Sequence, residues 1–122
     1  SGDGGPATNA LLNYPTSVWV SANNMNIYIA DQYNNRIRVI DGATQIISTF
    51  AGKSGVSSGG DGGLASDAGL NLPVHVVGPA NGEFMFISEY FGYNVRVLYN
   101  APTNAPTPLP TATPSVVPTS RK

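Results

Sequence analysis

The chain has 122 residues, 11% of them charged, and a formal net charge of -1, which is one domain's worth of chain with too weak a field to steer nucleic acid or an anionic membrane surface. It has no cysteine and a single histidine, His75, which excludes disulfides, thiolate chemistry and a multi-histidine metal centre. No apolar run reaches the ~20 residues of a membrane helix, and the start at Ser1, with neither Met nor a hydrophobic leader, reads as a processed or excised piece of something longer.

The chain repeats. Residues 2–41 align without a gap on residues 60–99, each residue falling 58 positions later (2 onto 60). Gly2-Asp3-Gly4-Gly5 falls on Gly60-Asp61-Gly62-Gly63. Ala7, Ala10, Leu12, Asn13 and Pro15 recur as Ala65, Ala68, Leu70, Asn71 and Pro73. Val18, Ala22, Asn23, Ile29, Arg38 and Val39 recur as Val76, Ala80, Asn81, Ile87, Arg96 and Val97. Repetition at a fixed period marks stacked units of one supersecondary structure.

Taken in chain order, the first unit opens on a Gly-rich loop. Short β-branched and aromatic runs follow, which predict strands over 17–20, 26–31, 36–41 and 46–50. Asn23-Asn24 and Asp41-Gly42 supply the turns between them. The second unit predicts strands over 75–77, 83–88 and 94–98 and no fourth. No window carries a 3.6-residue period, so the class is all-β, with about seven strands. Residues 101–120 hold six of the ten prolines and no charge. That density disfavours a helix and a central strand and predicts a polyproline-II-like tail. The organisation is therefore a first unit with its Gly-rich linker (1–58), a second, incomplete unit (59–100) and a Pro/Thr-rich stalk or linker (101–122).

Four-stranded units at a fixed period suggest propeller blades. The residues Gly2-Asp3-Gly4-Gly5-Pro6-Ala7-Thr8, Leu12-Asn13-x-Pro15, Ile27-Tyr28-Ile29-Ala30-Asp31 and Asn34-x-Arg36-Ile37-Arg38 resemble an NHL repeat. The longer form of that repeat also ends in a Thr-x-Ala-Gly-like segment with a Gly-rich linker, here Thr49-Phe50-Ala51-Gly52 and residues 55–63. The second unit departs at Glu89, Gly92 and Asn94, which replace Asp31, Asn34 and Arg36. The resemblance implies NHL-type blades, two in number, which do not close a propeller within one chain. The family includes RNA-binding propellers, a zinc-dependent lyase, sensor ectodomains and adhesion proteins, so fold alone does not fix function.

The residues narrow the choice. Outside the tail's end the basic residues are Arg36, Arg38, Lys53 and Arg96. Arg38 and Arg96 read as solvated strand faces, and RNA binding has little charge to work with. A zinc lyase needs several histidines, and His75 reads as a rim residue at the start of a strand. Asp3-Gly4-Gly5 and Asp61-Gly62-Gly63 each offer too few carboxylates for calcium, with Asp67 as a second in the later loop, and read as turns with local backbone hydrogen bonds. No paired carboxylates or Gly-x-Ser-x-Gly elbow appears. No enzyme, metal site or cofactor is expected. Trp19, Tyr28, Phe50, Phe84 and Phe86 fall in strands and are expected to pack between blades. Tyr33, Tyr90, Phe91 and Tyr93 cluster before the third strand of each unit and form a candidate interaction surface.

Two blades leave apolar faces and a strand edge unpaired. The expectation is a non-enzymatic extracellular or cell-surface structural module, its partners copies of itself and covalent O-linked glycans, with no nucleic acid and no membrane insertion. Copies would join by blade-edge completion into a fibre or matrix. Candidate O-glycosylation sites are Thr103, Thr107, Thr111, Thr113, Ser115 and Thr119. The tail also resembles hydroxyproline-rich wall glycoproteins of plants and algae, which implies hydroxylation at Pro102, Pro106, Pro108, Pro114 and Pro118. The alternative is a C-terminal piece of a larger NHL propeller that binds a protein or a glycan through its loops.

Overall fold

A computed structural model describes residues 1–99 and the backbone of Ser115–Pro118. The strands are β1 (Pro15–Val20), β2 (Ile27–Asp31), β3 (Arg36–Ile40), β4 (Ile47–Ala51), β5 (Pro73–Val77), β6 (Phe84–Glu89), β7 (Asn94–Tyr99) and β8 (Ser115–Pro118). They form two antiparallel four-stranded sheets in the orders β1-β2-β3-β4 and β5-β6-β7-β8. In each sheet neighbouring strands follow one another in chain order, and short turns join all of them except β7 and β8. Beyond strands, the described residues hold only three short 3-10 turns.

The repeat is exact in register. Val18 pairs with Ile29, which pairs with Arg38; 58 residues later Val76 pairs with Ile87, which pairs with Arg96. Both first strands carry an irregularity just after their proline, between Pro15 and Ser17 and between Pro73 and His75.

The fourth strand of the second sheet differs from expectation. Ser115–Pro118 lies antiparallel along β7, with Val117 opposite Val97 and Val116 opposite Leu98. The reason is local. Val116-Val117 is a β-branched pair, and Pro118 closes an outer strand of the sheet, where proline is tolerated. The polyproline-II expectation for the rest of the tail lies outside the described residues. So do Thr103, Thr107, Thr111, Thr113, Thr119, Pro102, Pro106, Pro108 and Pro114.

The two sheets pack face to face around one core. Tyr28, Ala30, Ile37 and Ala51 of the first sheet meet Val76, Met85, Ile87 and Leu98 of the second. Ala65, Ala68 and Leu70 of the intervening loop complete the cluster, and Trp19, Val39 and Phe50 close over it. Tyr28 stands between Trp19 (ring centroids 5.7 Å apart) and Phe50 (5.1 Å, edge-on). Burial raises the Tyr28 phenol above its usual range, against a hydrogen bond from Asn26 that acts the other way.

Phe84 and Phe86 correct the expectation of inter-blade packing. Strand alternation puts Met85 and Ile87 on the core side, so their neighbours face away. Phe86 is 40% exposed and packs edge-on against Phe84 at 5.5 Å.

Candidate functional site

Each sheet is fastened by a buried arginine. Arg38, on β3, is fully buried. Its Nε and Nη2 donate to Asp3 Oδ1 at 3.0 and 2.6 Å, and its Nη1 donates to Asp31 Oδ2 at 3.3 Å. It also reaches the carbonyls of Ser1 (3.2 Å) and Leu11 (3.4 Å). Arg96 repeats the arrangement on β7. Its Nη2 donates to Asp61 Oδ1 at 2.5 Å and to the Gly59 carbonyl at 3.1 Å. Its Nη1 donates to Glu89 Oε1 at 3.3 Å and to the Gly69 carbonyl at 2.8 Å.

These contacts overturn two sequence expectations. Arg38 and Arg96 are not solvated, because the Gly-rich segment before each sheet folds back over the strand face that bears them. Asp3 and Asp61 are not closed on their own turns; they clamp that segment to the third strand. Gly60 shows why the motif needs glycine. Its φ is +86°, and a Cβ there would lie 2.7 Å from Ala68 Cα, so the loop could not close on the alanine that recurs eight residues on.

The acid at the end of the second strand links this lock to the exposed end of the blade. Asp31 is fully buried. It accepts hydrogen bonds from the Asn13 N–H (2.7 Å) and the Asn34 side chain (2.8 Å), which pins the 3-10 turn Gln32–Asn34. The second sheet solves the same problem with different residues. Glu89 Oε1 accepts from the Asn71 N–H at 2.8 Å. The longer side chain fits because Gly92 stands where the first sheet has Asn34; a Cβ on Gly92 would be 2.7 Å from Glu89 Oε2. The departures Glu89 and Gly92 are thus one coupled change.

The pinned turns present an aromatic rim. Tyr14 and Tyr33 stack at 4.8 Å with their planes 14° apart, and Tyr90 meets Phe91 edge-on at 5.0 Å. With Tyr93 these rings are 55–62% exposed. The Tyr33 N–H donates to the Asn13 carbonyl, and the Tyr90 N–H to the Leu72 carbonyl. The Asn35 side chain accepts from the Leu72 N–H at 2.9 Å, tying the two halves of the rim together. Tyr33, Tyr90, Phe91 and Tyr93 stand in the turns before the third strand of each sheet; Tyr14, preceding β1 with a φ of 56°, was not foreseen. Only its position one residue before the recurring proline hinted at it. The rim loops carry two charged residues, Asp31 and Glu89, and both are buried.

Two further basic side chains have acidic partners. Arg36 lies 3.5 Å from Asp3, and Lys53 lies 3.9 Å from Asp67. Burial alone would raise the Asp3 carboxyl, but hydrogen bonds from Thr49 and Arg38 and the charges of Arg38 and Arg36 hold it below its usual range. Asp41 is also held low, chiefly by hydrogen bonds from the Thr44 N–H and hydroxyl, with burial acting the other way and the Ala43 N–H adding a lesser hydrogen bond. His75 is exposed on β5. Among the described residues no three of His, Asp and Glu come together as a metal site, and no helix is long and apolar enough to cross a membrane.

Comparison with known proteins agrees with the geometry. NHL repeat-containing protein 2 of Bos taurus is 32% identical over 95 residues, 77% of this chain. The chain is built from NHL repeats. The Homo sapiens protein of the same name is 28% identical over the same share, and the Gallus gallus protein 27%. The matched stretch is 13% of the length of each of these relatives. No family model matches the chain. The two NHL blades of this chain thus correspond to a small part of those larger proteins.

Proposed function

We propose that this NHL pair is a non-enzymatic binding module of a larger propeller, and that it takes a protein partner on its aromatic rim. The rim carries the reading: five half-exposed rings, on turns pinned by buried carboxylates, with no charged side chain presented among them. Rigid aromatic rings supply large contact area at low entropic cost, and such residues dominate interface energetics. Among the described residues six of the seven carboxylates are engaged by arginine, lysine or turn hydrogen bonds, which supports a binding reading.

A glycan partner is a second reading, favoured by the near-parallel Tyr14 and Tyr33 rings, whose outer faces suit the flat CH faces of a sugar. An extracellular, O-glycosylated fibre rests on an unpaired edge of the second blade and on residues 101–122; Ser115–Pro118 pairs along that edge, and the relatives lend the fibre no support. The test places a photo-cross-linking residue at position 33 or 91 of the full chain, and at Glu83 as a control outside the rim. A recurring protein adduct from 33 and 91, absent from 83, supports the proposal. Equal adducts from all three positions, or none, refute it.

A further inference from the structure

We infer, building on the aromatic rim as a protein-binding surface, that its partner presents an uncharged, proline-rich segment in the polyproline-II conformation, laid across the ends of both blades. The 58-residue shift carries Tyr14 onto Leu72 and Tyr33 onto Phe91. Tyr14 and Leu72 share a left-handed backbone, with φ of 56° and 52°. Each blade therefore offers an apolar side chain just before its recurring proline and an aromatic ring on the turn after its second strand. Sheets packed face to face lie about 10 Å apart, which sets the step from one platform to the next. Polyproline II repeats every three residues at about 3.1 Å each, or roughly 9 Å. A segment with proline at every third position thus puts one pyrrolidine ring on each platform. A strand brings same-face side chains back about every 7 Å and falls out of step.

Charge agrees with the spacing. The two acids of the rim loops, Asp31 and Glu89, are buried, so the rim has no charge to meet the charged flanks of an amphipathic helix. A proline-rich segment brings none. Its backbone carbonyls carry no internal hydrogen bonds, and tyrosine hydroxyls are suitable donors to them. The surface also persists inside a longer row of blades. Tyr33 stands on the turn whose Asn35 is already bonded to the next blade, and it is still 56% exposed. An adjoining blade therefore leaves this ring open, and the same holds for Phe91, its repeat equivalent. Leu72, with a blade in front of it, is only half-buried.

The test is fluorescence anisotropy of a labelled peptide of Pro-Thr-Ala repeats, titrated with the full chain. A matched peptide with every proline replaced by alanine, and the unlabelled hexasaccharide cellohexaose as competitor, complete the set. The proline peptide should bind, and the alanine peptide about tenfold or more weaker. Tyr33→Ser and Phe91→Ser should each weaken the proline peptide by a similar factor and leave the thermal melt unchanged, since both rings are more than half exposed. No binding of the proline peptide overturns the inference. So does equal affinity for the two peptides, or binding that neither ring variant changes. Displacement of the peptide by cellohexaose at lower concentration than by unlabelled peptide overturns it in favour of a sugar. If the peptide fails while positions 33 and 91 still capture one protein, the binding surface stands and only the chemistry assigned to its partner falls.

Discussion

Replacing Arg38 with Met tests the buried lock. Methionine keeps most of the volume but none of the donors. Three losses follow, and they are unequal. The Ser1 and Leu11 carbonyls lie on exposed loop residues and rehydrate at small cost. Asp3, with its side chain 37% exposed, also returns to water, for about 1 kcal/mol or less. Asp31 cannot, because it is fully buried. It keeps hydrogen bonds from Asn13 and Asn34 but loses its near cation, and Arg36 stands off at 4.0 Å. Removing one partner of a buried ion pair costs about 3–5 kcal/mol, and the remaining hydrogen bonds place this case near the lower end. With a urea m-value of about 1–3 kcal/mol/M for a small domain, the midpoint should fall by roughly 1–3 M. Urea unfolding followed by the fluorescence of Trp19, the sole tryptophan, reads this directly. If the uncompensated charge is the cause, Asp31→Asn added to Arg38→Met should recover about 1–3 kcal/mol. A double variant no more stable than Arg38→Met would refute the reasoning.

Further outcomes follow from the same geometry. Asp3 is more acidic in the fold than its ordinary 3.8, so the unfolded chain takes up its proton first. Its contribution is present above pH 3.8 and lost as pH falls below that value through the folded pKa; Asp3→Asn should flatten the acid limb of urea midpoint against pH, leaving the part due to Asp41. Gly60→Ala combines a φ of +86° with a contact to Ala68 and should cost about 2–3 kcal/mol, whereas Gly62→Ala, with a φ of +81° and open space around it, should cost only about 1 kcal/mol in thermal melts. Gly92→Asn crowds the Glu89 carboxylate and should destabilise by about 1–3 kcal/mol. Adding Glu89→Asp recreates the arrangement of the first blade and should reverse most of that loss.

Strand positions were legible in the sequence because alternation and turn residues act locally. Seven of the strands fall within a residue or two of the runs that predicted them. What a strand face packs against is not local. Arg38 and Arg96 alternate with apolar residues as solvated residues do, and only the return of the Gly-rich segment, some 35 residues away, buries them. Tyr28 and Phe86 occupy the same repeat position, yet one is core and the other surface, because a blade follows the first and none is described after the second. The pairing of Ser115–Pro118 on β7 was hidden by the prolines around a two-valine stretch. The rim was half legible: Tyr33, Tyr90, Phe91 and Tyr93 stand in one recurring turn, whereas Tyr14 joins them only through the Asp31-held approach of two segments.

The most direct test of the binding account is titration of the partner captured at position 33 or 91 against the intact chain and against a Tyr33→Ser/Tyr90→Ser variant. Both rings are more than half exposed, so the variant should melt like the parent chain. Loss of two central aromatic contacts should weaken binding about tenfold or more. An affinity unchanged by the double substitution would contradict the assignment of function to the aromatic rim.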